Sequence, residues 1–180
     1  MLIGIDVCHA KGDSIVGFAA STNREMSQYF SDFIVQKKGQ EVVNAQLKDC
    51  LKKAIEVFAR GHGGMNPTNI IIFRDGVSGA ERDHVVDREV GQFIDACQSI
   101  YNQASSQPKI TLVIVNKRIM QSFFVKGSNG RLENPPSGCL VDRDLVECSG
   151  NDRNQFDFFL FPVRGTQGCQ KPTHFHVPMN

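Results

Sequence analysis

The chain has 180 residues, of which 41% are hydrophobic and 22% charged, and its formal net charge is +1. This length and apolar content suit one packed domain, able to bury roughly two-thirds of its unfolded surface without disulfide or metal staples. The near-zero charge excludes a globally basic nucleic-acid binder, so any contact with phosphates has to come from local patches.

The chain opens with LIGIDV, a β-branched run that predicts a strand. Residues 11–14 supply a turn, SIVGFAAS predicts a second strand, and residues 25–35 a third. The connections are too short for crossovers, so the three form an antiparallel meander. A helix is predicted over residues 40–60, where Val43, Leu47, Leu51, Ala54, Ile55 and Phe58 share one face and Gly61, Gly63 and Gly64 end it. NIIIF then reads as a buried strand running into the turn-rich RDGVSG. A second helix over residues 80–103 carries Val86, Val90, Phe93, Cys97 and Ile100 on its inner stripe, and the strand ITLVIV follows. The middle of the chain therefore reads β-α-β-α-β with parallel strands. Beyond it come turns at residues 127–130 and 135–138 and the short strands CLVD and FDFFLF. There is no repeat, low-complexity tract or evident linker, so residues 1–180 read as one domain.

The cysteines at 8, 50, 97, 139, 148 and 169 form no CxxC or other short zinc spacing. Their scatter fits reduced thiols inside a cell, in cytoplasm or nucleus. The N-terminal MLIGIDV is short and broken by an aspartate, so it reads as neither a signal peptide nor a membrane span.

Asp6 stands inside an apolar strand, where a carboxylate is costly unless it is paired or bound to a cation. Asp75 ends a buried strand, the position at which α/β folds gather functional groups, and Gly76 lets the chain turn away from it. An ordinary Asp-Gly turn would leave the same trace. Two carboxylates from neighbouring strand ends suit Mg²⁺, which takes oxygen ligands and keeps several waters. Glu41 opens the first predicted helix, and residue chemistry alone favours a partner for the helix dipole there. Lys37 and Lys38, Lys117 and Arg118, Lys126 and Arg131, and Arg164 and Lys171 form local basic pairs that either neutralise phosphates or stand as solvated surface. His174 and His176 alternate in PTHFHV and fit hydrogen-bonded structural roles better than metal ligation. GxSxG, P-loop and HExxH motifs are absent from the sequence, so the chemistry they mark has no support.

Taken in order, these segments resemble the Piwi domain of the Argonaute/Piwi family. IGIDVCH resembles its first catalytic strand, QKKGQEVV the segment that carries a mobile glutamate, and IIIFRDGVSGAE its Arg-Asp-Gly-Val turn after a buried strand. VIVNKRIMQSFF resembles the following strand and basic pair. NPPSGCLVD, FDFFLF and GCQKPTHFHV complete the series and look more like the Piwi branch than the Argonaute branch. The likeness spans nearly the whole chain, and its specificity lies in the ordered series.

The resemblance implies an α/β, RNase H-like mixed sheet: an antiparallel three-strand meander followed by alternating helices and parallel strands. It implies that Asp6 and Asp75 ligate Mg²⁺ (or Mn²⁺) and that Glu41 completes the catalytic set when a loop closes, which reverses the reading of Glu41 from residue chemistry. Lys117, Arg118 and Lys171 fall where the family contacts guide-strand phosphates. The implied function is small-RNA-guided nucleic-acid binding in RNA silencing, with Mg²⁺-dependent RNA endonuclease (slicer) chemistry. The implied partners are a small guide RNA, a complementary target RNA, and proteins. The family's fourth ligand position lies well beyond the PTHFHV-type motif, followed by closing helices, and a phosphate-gripping domain precedes the first strand. The resemblance therefore implies a domain incomplete at its C-terminus and without the upstream domain. His174 and His176 do not match the fourth position. Two non-catalytic readings stand beside the enzyme: a module that holds RNA without cutting it, and an interaction fragment whose Phe-rich tail offers an apolar patch.

Overall fold

The structure, a computed structural model, describes residues 1–9, 11–40, 43, 46–77, 82–101, 106–146, 156–163, 165 and 167–180. Side-chain alternation organises the first three strands. β1 (Leu2–His9), β2 (Ser14–Ser21) and β3 (Tyr29–Gln36) pair antiparallel, with Ile5 opposite Phe18 and Phe18 opposite Asp32. Ile3, Ile5, Val16, Phe18, Ala20 and Ile34 are buried, while the alternating Gly4, Asp6, Ile15, Gly17, Phe33 and Val35 are exposed. β3 starts later than the sequence suggests. The Asn23 side-chain oxygen accepts the Ser27 and Gln28 N–H groups at 2.9 and 3.0 Å, which holds the preceding segment in a closed loop.

Helix α1 (Leu47–Gly61) buries Leu47, Cys50, Leu51, Ala54 and Ile55 on one stripe. Gln40 and Val43, inside the predicted span, are not helical, and both backbone polar groups of Val43 are taken by side chains of a later helix. β4 (Asn69–Asp75) lies parallel to β1. The next helical stretch is continuous but not uniform: α2 (Arg82–Val85), a π-helical turn (Val86–Val90) and α3 (Gly91–Ile100). β5 (Lys109–Asn116) then runs parallel to β4. β6 (Val125–Lys126) and β7 (Leu132–Glu133) form a separate hairpin. β8 (Cys139–Val141), β9 (Phe156–Phe161) and β10 (Thr173–Met179) complete the main sheet antiparallel.

The main sheet has eight strands in the order β3-β2-β1-β4-β5-β10-β9-β8, so its centre is parallel and its two flanks are antiparallel. α1 and α3 pack together over one face, where Ile3, Ile5, Ile70, Ile72, Leu112 and Ile114 meet Leu51, Ile55, Phe93 and Cys97. The opposite face carries a smaller apolar cluster, Val113, Val115 and Val177 with Ile71, Phe158 and Phe175 against it. Phe73 on that face is 37% exposed, so the apolar run of β4 is fully covered on the helix side only. Among the described residues, no helix is long and apolar enough to cross a membrane.

Candidate metal and nucleic-acid site

Parity along β4 separates two charged neighbours. Ile70, Ile72 and Arg74 point toward the helices, and Ile71, Phe73 and Asp75 toward the other face. Gly76 follows with φ of +83°, a conformation that suits glycine, and it turns the chain off the strand so that Asp75 stands at its C-terminal end. The β1–β4 register pairs Ile5 with Arg74. The next residue along each strand brings Asp6 level with Asp75, on the same face. In the β4–β5 register Asp75 is level with Val115, and Lys117 lies two residues further on that side.

This register is realised in contacts. Lys117 Nζ donates to Asp75 Oδ2 in an ion pair. The Asp75 carboxylate, with the Asp6 charge nearby, pushes the Lys117 ammonium above the ordinary lysine range, against a smaller opposing effect of burial. Asp6, Asp75 and Lys117 line two adjoining depressions. One runs over Gly4, Gly17 and Phe73, and the other over His9, Gly76, Asn116 and Arg118. The Arg118 amide is held by Asn116 Oδ1 at 3.2 Å, and its side chain is exposed at the rim.

Of the residues singled out from sequence, Asp6, Asp75, Lys117 and Arg118 thus come together. Glu41 and Arg164 lie outside the described residues. Lys171 sits elsewhere: its Nζ donates to Met120 O, Gln121 O and Ser122 Oγ at 2.8, 3.0 and 2.6 Å. It thereby orders the segment that leads away from Lys117 and Arg118. Among the described residues, no group of three His, Cys, Asp or Glu is placed to hold a metal ion. The Asp6–Asp75 pair offers hard oxygen donors from adjacent strands, and an ammonium already stands against it. That donor set fits a hard divalent cation.

With this geometry in place, the comparison with known proteins is decisive. A Piwi domain profile matches residues 1–180. The chain belongs to the Argonaute/Piwi family. It is 35% identical over 180 residues to Piwi-like protein 1 of Gallus gallus, covering 98% of this chain and 20% of that protein. Against Piwi-like protein 3 of Homo sapiens the identity is 36% over 184 residues, covering 98% and 19%. The chain therefore spans about a fifth of the length of the relatives it matches. Among solved structures, the C-terminal lobe of a budding yeast Argonaute superposes with a TM-score of 0.81 at 24% identity, covering 99% of this chain and 37% of that one. Drosophila Piwi gives 0.75 at 24% identity, covering 98% and 23%. The mixed sheet is thus the RNase H-like α/β fold of Argonaute Piwi lobes.

Two polar clusters of this Piwi domain escape a reading by motif. Arg74 and Glu89 are 0% and 1% exposed and pair through Nε and Oε2 at 3.0 Å. Parity in NIIIFRD is the available signal, since it sends Arg74 into the core, and Glu89 stands four residues after Val85 and four before Phe93. The second cluster is Asp157, 4% exposed, which receives a hydrogen bond from His176 Nδ1 and lies 3.6 Å from His174 Nε2. Burial pushes the Asp157 carboxyl up, but the two imidazoles outweigh it and hold the group well below the ordinary carboxylate range. His174 also stacks on Phe159 at 4.6 Å. Both histidines are thereby engaged in tying β10 to β9.

Proposed function

We propose that this Piwi domain holds a small guide RNA and its complementary target in RNA silencing, and that Asp6 and Asp75, joined by Glu41, form an Mg²⁺ (or Mn²⁺) site for endonucleolytic cleavage of the target. The observation that carries the reading is the pair of carboxylates abreast on adjacent parallel strands with a cationic side chain against them. Kluyveromyces polysporus Argonaute with a guide RNA is a structural neighbour, superposing with a TM-score of 0.79 at 23% identity, and it supports RNA as the ligand. A divalent ion held by the carboxylates would activate water and stabilise the leaving oxygen. Lys117 and Arg118 at the rim supply phosphate contacts, and Lys171 supports them by holding the following segment in place.

The test is single-turnover cleavage of a guide-matched RNA by the chain and by Asp75→Ala, alongside Mn²⁺ titration of both. Cleavage and Mn²⁺ uptake that disappear with Asp75→Ala support the enzyme. Equal rates for the two proteins would end it.

A second reading, an RNA-binding module without cleavage, is favoured by one observation. Lys117 already neutralises Asp75. Salt-dependent RNA binding without Mn²⁺ uptake selects this reading.

A further inference from the structure

Arg74 and Asp75 are neighbours on β4 that point to opposite faces, and the arginine holds the backbone of the aspartate. The β1–β4 register runs as far as Ile5 and Arg74, while Asp75 is in register with Val115 of β5. Gly76 then turns the chain away with φ of +83°. The peptide after Asp75 therefore stands where the β1–β4 ladder stops, and there Arg74 Nη1 donates to the Asp75 carbonyl. Glu89 grips the other side of the guanidinium. Nε donates to its Oε2 at 3.0 Å and to its Oε1 at 3.4 Å, and Nη2 donates to Oε1 at 3.4 Å. Glu89 is itself held from a second segment, since Oε1 also accepts the Val43 N–H at 2.9 Å.

We infer that Arg74, braced by Glu89, is a positioning residue: it fixes the peptide that follows Asp75 and so sets where the Asp75 carboxylate stands beside Asp6. This rests on the metal reading above. Three features argue for it. First, a fully buried ion pair is a poor source of stability, because apolar residues of the same volume usually serve as well or better. Arg74 and Glu89 are such a pair, at 0% and 1% exposed, so the two charges have a use besides stability. Second, that use needs a guanidinium. Its planar fork serves two acceptors in fixed directions, here a carboxylate and a carbonyl, whereas a lysine ammonium on its flexible stem sets no such directions. Third, Glu89 enters the core from a π-helical turn, a local departure that occurs often at functional sites. The consequence for the site is geometric. Asp6 lies within β1 and is held in register with Gly17 of β2. Asp75 is the last residue of its strand, so its carboxylate keeps its place against Asp6 and Lys117 only while the turn behind it does not rotate.

The experiment uses the 180-residue chain with Arg74→Lys, and with Arg74→Met and Glu89→Leu together, read by Mn²⁺ titration and hydrogen exchange. The double variant removes both buried charges and refills the core, so it separates positioning from stability. Arg74→Lys keeps a charge beside Glu89 and guards against a double variant that fails to fold. Both proteins should bind Mn²⁺ about tenfold more weakly, the scale for groups that orient metal ligands. The Gly76 and Val77 amides should exchange roughly fivefold faster, the scale of one lost hydrogen bond, with the β1 amides unchanged. Wild-type Mn²⁺ affinity in either folded variant would overturn the inference whatever the exchange shows, because Arg74 would then serve the core alone. Weaker Mn²⁺ binding with unaltered exchange at Gly76 and Val77 would overturn it too, since the peptide after Asp75 would not be what Arg74 holds. A wild-type chain that takes up no Mn²⁺ would instead overturn the metal reading, and Arg74 would have no site to set.

Discussion

Consider the chain with Glu89 replaced by leucine. The Arg74 guanidinium, 0% exposed, would stay in the core without its carboxylate, and the Val43 N–H would lose its acceptor. Removing one partner of a buried ion pair costs about 3–5 kcal/mol, so Glu89→Leu is expected to lose about 4 kcal/mol. Arg74→Met should lose a similar amount, because it strands the carboxylate instead. The double variant removes both charges and fills the space with apolar side chains. It leaves the Val43 amide without its acceptor, at about 1–3 kcal/mol, and the part-buried Asp75 carbonyl without the Arg74 donor. The three proteins should therefore show a coupling of several kcal/mol, with the double variant more stable than either single one. In a domain of this size, about 4 kcal/mol corresponds to a Tm lower by roughly 8–16 °C. Urea unfolding of all four proteins measures the cycle directly. If the single losses simply add in the double variant, Arg74 and Glu89 do not act as a pair and the account of the core around the site is wrong.

Other outcomes follow from the same geometry. Lys117→Met should raise Mn²⁺ affinity by about fivefold, the scale of an exposed, solvent-screened contact, because the ammonium no longer competes for Asp75; calorimetric titration checks it, and unchanged affinity would refute the competition. Neutralising Lys117 and Arg118 together should flatten the dependence of single-stranded RNA affinity on salt by about 1.4 log units per log unit. Lys171→Ala should change that slope less and instead speed proteolysis near residues 120–122, whose acceptors it holds. The Asp157 carboxyl lies below its ordinary value of 3.8 in the folded chain. Its stabilising contribution is therefore present above that pH and lost as the pH falls toward the lower folded value. Asp157→Asn should flatten the acid loss of stability between about pH 4 and pH 2, and parallel unfolding curves for the two proteins would contradict the cluster's role.

Much of the site is legible in the amino-acid order. The alternation in LIGIDV sets Asp6 apart from its apolar neighbours, the apolar run of NIIIF marks the strand that Asp75 ends, and Gly76 marks where the chain leaves β4. What that order hides is polar and long-range. Val43, on the apolar face of the helix predicted from residue 40, has its backbone groups taken by Glu89 and Gln92, more than forty residues away. Lys171, which the resemblance assigns to phosphate contact, also donates to backbone carbonyls about fifty residues upstream. The motif RDGV draws attention to its aspartate, although its arginine is the residue that crosses the core.

The sequence on its own determined the strand and helix periods and the Piwi resemblance, and it marked Asp6 and Asp75 as carboxylates set in or just after apolar strands. These are local properties, set by side-chain alternation and turn chemistry within a few residues. Only the tertiary structure decided which charges meet: Lys117 with Asp75, Arg74 with Glu89, Glu89 with the Val43 amide, and Asp157 with two histidines. Such pairings depend on strand order and register across the sheet. A buried polar group takes its partner from whichever element the packing brings within hydrogen-bond reach, however distant it is along the chain.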